Sequence, residues 1–193
     1  MERRRAAAVV SLVIGLLLVG VGPAQAATYP LKSVTWGAWT LYSQQESNWC
    51  WAAATKMLIR KRLGSAAPSE CTIVNRAKGT TTCANVTGTF DDMGDAVNYH
   101  GFNTARGLAR PLFSTIREST VAGYGIYARV VWSSGGNVGH IAPLIGSTAD
   151  EKVYITRIRT TAVSGSWITY DQFAKGTAGL GAAYSPSGGY FKG

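Results

Sequence analysis

The apolar positions after Cys50 recur with helical spacing. Ala54, Met57 and Leu58 fall four, seven and eight places beyond it, so one stripe of a helix running to Leu63 carries a thiol in its first turn. Ser47 or Asn48 stands where a cap belongs, and Gly64 stands where the helix should end. Residues 27–43 mix aromatic and polar positions (Trp36, Trp39, Tyr42) and predict an extended lead-in packed on the domain. Residues 68–85 predict a short helical turn and a Thr-rich loop. Asp91, Asp92 and Asp95 open a predicted helix that reaches about Tyr99 and stops at Gly101; Leu112, Ile116 and Val121 mark another, ending near Gly123.

After Gly125 the pattern changes to that of strands. Residues 126–132 are rich in β-formers, Gly135-Gly136-Asn137 turns the chain, and residues 140–145 are apolar enough for a buried strand. In residues 152–159, Val153, Ile155 and Arg157 alternate with Tyr154, Thr156 and Ile158. Residues 167–173 and the Gly-rich tail from Gly176 complete the sheet or close over it. Helices first and strands afterwards predict an α+β fold of two packed lobes.

The N-terminus changes the picture of where this fold resides. Met1-Glu2-Arg3-Arg4-Arg5 precedes an apolar run over residues 6–21 and the small-x-small pattern Ala24-Gln25-Ala26. This reads as a signal peptide over residues 1–26, leaving one secreted domain over residues 27–193. The run falls short of the roughly 20 residues of a membrane span, so no stable insertion is expected. The formal charge of +9 becomes +7 once the leader's three arginines and one glutamate are removed, which favours acidic surfaces or substrates. Nucleic acid is not an expected partner: the basic residues are scattered except at Arg60-Lys61-Arg62, where they suit the last turn of the helix. No cofactor or metal is expected either, because phosphate loop, HExxH and paired CxxC are all missing and the aspartates at 91–95 read as capping residues.

Three cysteines in an exported chain leave one unpaired. Cys71 and Cys83, twelve apart across Lys78-Gly79-Thr80, are the pair expected to close a loop, worth about 3 kcal/mol in the chain-entropy treatment. Cys50 remains free, at a helix mouth where the backbone dipole favours a thiolate. A thiol hydrolase also needs a basic histidine, a group to orient it, and donors for a tetrahedral oxyanion. His140, after a Gly-rich turn at a strand start, is the candidate base. Gln44, six positions before the thiol, is the candidate oxyanion donor together with the Cys50 N–H. The other histidine, His100, has Gly101 behind it and reads as a helix C-terminal residue.

Residues 44–53, QQESNWCWAA, resemble the active-site helix start of papain-like cysteine proteases, especially compact bacterial secreted and effector forms. Cys71-Thr72-Ile73-Val74-Asn75 with Cys83 resembles their cysteine loop, Gly135-Gly136 with Gly139-His140 their histidine strand, and residues 166–173 (SWITYDQF) their closing segment. The resemblance implies a papain-like fold in which an N-terminal helical lobe packs against a C-terminal antiparallel sheet or barrel. It implies a monomeric endopeptidase that hydrolyses protein or peptide substrates through a Cys50 acyl-enzyme, with His140 as general acid and base. One position departs from the family pattern. Where an Asn or Asp would orient the histidine, near Thr156-Arg157, this chain has neither. Thr156, Asp150 and, more weakly, Asn137 are the alternatives, and a catalytically degenerate fold that binds a partner in its cleft is the competing expectation.

Overall fold

A computed structural model describes residues 33–134, 139–182, 184–186 and 190–192. The expected leader, the Gly135-Gly136 turn and Asn137 lie outside them. The lead-in is a hairpin: β1 (Ser33–Trp36) and β2 (Trp39–Tyr42) pair antiparallel, turned by Gly37 at φ 54°. Helix α1 (Cys50–Leu63) occupies the predicted residues and stops at Gly64, φ 57°. Neither expected cap acts. The N-cap position is Trp49, which makes no side-chain cap bond, because Asn48 is committed elsewhere: its Nδ2 donates to the Asn85 carbonyl and its N–H to Asn85 Oδ1.

The segment expected to be a turn and a loop contains a full helix, α2 (Glu70–Lys78), which Ser69 caps and Gly79 ends. Cys71 and Cys83 form the expected disulfide across the loop that follows. Asn75 holds that loop from inside, its Oδ1 accepting the Cys83 N–H at 2.9 Å. Helix α3 (Phe90–Asn98) starts from a Thr89–Asp92 capping box, and Lys78 reaches Asp92 at 2.8 Å to link α2 with α3.

After β3 (Ala105–Gly107) and α4 (Phe113–Val121), β4 (Ile126–Trp132), β5 (Gly139–Ser147), β6 (Lys152–Ile158) and β7 (Val163–Thr169) form consecutive antiparallel strands. Residues 167–169 complete β7 against β6, and the chain leaves the sheet at Tyr170. Thr169 and Gln172 exchange capping bonds and start helix α5 (Tyr170–Lys175), a Thr-x-x-Gln signature present in the sequence. Two short strands, β8 (Tyr184–Ser185) and β9 (Tyr190–Lys192), both pair with β4, giving the order β3-β9-β4-β5-β6-β7.

The architecture is α+β, with helices on both faces of the sheet. Trp51, Met57, Leu58, Tyr127, Ile141, Ile145 and Ile158 share the core between α1–α3 and one face. Ile116, Ala128, Val130, Ala142, Leu144, Ile155 and Phe173 share the core on the opposite face, with α4 and α5. Cover on both sides buries β5 almost throughout, which is why its sequence reads as an unbroken apolar run. The alternation also assigns sides to polar neighbours: Thr156 goes with Ile158 toward α1, whereas His140 and Arg157 go with Ala142 and Ile155 toward α4 and α5. Among the described residues, no helix is long and apolar enough to cross a membrane.

Candidate functional site

Cys50 is the free cysteine among the described residues, at the first position of α1. Its neighbours hold it through a loop that the disulfide anchors. Trp49 Nε1 donates to the Ala84 carbonyl at 3.0 Å and Trp51 Nε1 to the Val86 carbonyl at 3.1 Å, immediately beyond Cys83. Gly88 lies against the Trp51 ring, so closely that a Cβ there would collide with it. The uncapped helix start leaves first-turn N–H groups without side-chain partners, and those of Cys50 and Trp51 act on the thiol together with the Ile141 N–H of β5. Burial opposes them and is the larger effect, so the thiol sits above its ordinary pKa.

Gln44 reaches the same place from the other side of the loop. Its backbone N–H donates to the Arg159 carbonyl at 3.1 Å, fastening the segment before α1 to the end of β6. Its side-chain Nε2 donates to the Glu46 and Ser47 carbonyls at 2.8 and 2.7 Å, so both amide protons are engaged within its own turn. To serve an oxyanion, Gln44 must release one of them.

Gln44, Cys50 and His140 line one cleft of about 620 Å³ where the start of α1 meets the start of β5. His140 is 9 % exposed, and its ring lies 5.4 Å from that of Trp132 on β4. Nε2 has no protein partner among the described residues. Burial first, then the charge of Arg159, lowers the imidazole pKa to about 4. Near neutral pH the thiol and the imidazole are therefore both uncharged. A neutral imidazole is the form that accepts a proton, so the pair suits general-base deprotonation during attack better than a preformed thiolate–imidazolium pair.

Of the candidates for orienting the imidazole, Asp150 and Thr156 are not brought to it. Asp150 lies beyond the far end of β5, roughly 25 Å along the strand at 3.3 Å per residue, exposed and paired with Lys152 at 2.8 Å. Thr156 faces the α1 side of the sheet, with its Oγ1 buried and without a partner among the described residues. Asn137 falls outside the described residues. On the imidazole's own side, the polar side chains at the end of β6 are Arg157 and, one residue beyond the strand, Arg159, and both line the cleft. The two-residue spacing of Arg157 and Arg159 marked them as sharing a strand face. What it could not mark was that His140 shares that face too. His100 is elsewhere, edge-on to Tyr99 at 5.1 Å, in a separate depression with Thr72 and Arg76.

No protein-family model matches this chain, and no curated protein matches it.

Proposed function

We propose that this protein is an exported thiol hydrolase of papain-like type, acting as an endopeptidase on peptide bonds. The observation that supports this best is the convergence of Cys50, His140 and Gln44, from three separate segments, on one cleft. Cys50 Sγ attacks the substrate carbonyl carbon while His140 takes the thiol proton, and a carbon–sulfur bond forms as the carbonyl becomes an oxyanion. The Cys50 N–H and a freed Gln44 amide proton receive that oxyanion. Collapse breaks the carbon–nitrogen bond, and His140 gives its proton to the leaving amine. Water then attacks the thioester with His140 as base, releasing the carboxylic acid and returning the proton to the thiol.

A peptidyl epoxide should alkylate Cys50, detected as a mass adduct on the α1 peptide and lost in Cys50→Ser. Absence of both the adduct and peptide turnover under reducing conditions would refute the hydrolase. One observation favours a second reading, a non-catalytic papain-like cleft that binds a partner. Arginines, rather than an Asn or Asp, share the face of the imidazole, and nothing among the described residues partners its Nε2. That reading requires peptide binding without turnover.

A further inference from the structure

The lining of the cleft contains, among the described residues, two arginines and no acidic residue. Among the described residues, no carboxylate lies within ion-pair distance of Arg157 or Arg159, whereas Lys78, Arg106, Lys152, Lys175 and Lys192 each have one. Arg157 is placed by the fold. Its guanidinium occupies the space a Cβ at Gly181 would need, and Gly181 has φ 76°, so the backbone there yields room for it. Arg157 Nε is buried and has no partner among the described residues, like the neighbouring His140 Nε2. Arg159 stands at the mouth, exposed, its backbone fixed by the bond from Gln44 and by its own N–H to the Ala162 carbonyl at 3.0 Å. Thr160 and Thr161 add hydroxyls beside it.

We infer that this cleft selects peptides carrying a carboxylate, received by Arg157 and Arg159 next to the Cys50–His140 pair. A guanidinium presents planar paired donors that match a carboxylate, and two uncompensated positive charges in a walled cleft concentrate field on an anionic group. The carboxylate comes either from an Asp or Glu side chain or from a peptide's C-terminus. The inference rests on the hydrolase reading for the fate of the bound peptide, but not for the binding itself.

Binding is therefore measured on the Cys50→Ala protein, which cannot turn over. Fluorescein-labelled, C-terminally amidated hexapeptides with one Glu at each position in turn are compared by anisotropy with the same peptides carrying Gln. A neutral hexapeptide with a free C-terminus forms the second arm. At least one carboxylate peptide should bind about 10-fold or more tightly than its neutral match, the scale of one charge-assisted hydrogen bond. The arm that shows the preference identifies the source of the carboxylate. Arg159→Gln, at an exposed position, should cut the preference several-fold, and Arg157→Lys should weaken it by removing the planar fork. Equal binding of charged and neutral peptides, no binding by any, or a preference unchanged in both variants would overturn the inference. Wild-type turnover separates the two claims: cleavage without carboxylate preference defeats this inference alone, and carboxylate binding without cleavage defeats the hydrolase alone.

Discussion

The two walls of the cleft differ in how their polar atoms are satisfied. On the helical wall, the side chains of Gln44, Asn48, Trp49 and Trp51 all donate to backbone carbonyls, at 2.7–3.1 Å. On the strand side, His140 Nε2 and Arg157 Nε are buried without protein partners among the described residues. Buried polar groups are normally paired, so each unpaired one calls for an explanation, and a catalytic or ligand-binding role is one of them. Under the proposed function, the helical wall is a scaffold that fixes the thiol, and the strand wall supplies His140 and Arg157 to a substrate.

If that contrast is right, substitutions on the two sides should have unequal effects on stability. Trp51→Ala removes a buried ring and its bond to Val86, and should cost about 3–5 kcal/mol in urea unfolding. Arg159→Gln across the cleft should stay within about 0.5 kcal/mol of wild type. A comparable loss in both would erase the distinction. Removing the disulfide with Cys71→Ser and Cys83→Ser should cost about 3 kcal/mol, since it frees the loop that receives both indoles.

The scaffold side also carries a pH-dependent element. Glu70 Oε2 accepts the Gln45 N–H at 2.9 Å, and burial raises its pKa from 4.5 to about 7 despite that bond and nearby Lys56. A raised folded-state pKa means stability that is present below pH 4.5 and lost as pH rises through 7. His140 runs the other way: its lowered pKa gives stability present above pH 6.5 and lost as pH falls toward 4. Glu70→Gln should therefore gain on wild type between pH 4.5 and 7.5, by up to about 3 kcal/mol, with the His140 slope left exposed. Parallel stability curves for the two proteins would show that Glu70 ionises freely. The smallest effect belongs to Thr156→Val. Removing a buried hydroxyl that has no partner among the described residues should be neutral or stabilising by about 1 kcal/mol and leave any peptide turnover intact. Lost turnover would restore Thr156 as the group that orients the imidazole.

Local signals carried much of the fold. Helix α1 and its stop at Gly64, the strands β4 to β6, and the pairing of Cys71 with Cys83 all follow from periodicity, breaker residues or cysteine count. Misreadings arose where a competing bond was invisible in one dimension. Asn48 looks like a cap until Asn85, distant in sequence, takes it, and α5 was hidden in a strand-like run despite its Thr169–Gln172 box. In the cleft, Gln44, Cys50 and His140 were legible as residue types and spacings. The face of β6 that meets the imidazole was not, because a strand's sidedness depends on register and on the β-bulge in β5 between Leu144 and Gly146. That register places Arg157, and not Thr156, on the side of His140.

The central claim is that Cys50 and His140 act together in this cleft. Its most direct test is kcat/KM for a quenched fluorescent peptide at pH 7.5 under reducing conditions, for wild type, Cys50→Ala and His140→Ala. Wild type should cleave, Cys50→Ala should show no turnover, and His140→Ala should fall by roughly 10²–10⁴-fold, the usual worth of a positioned acid–base group. Turnover unchanged in His140→Ala, or no cleavage by wild type, would contradict it.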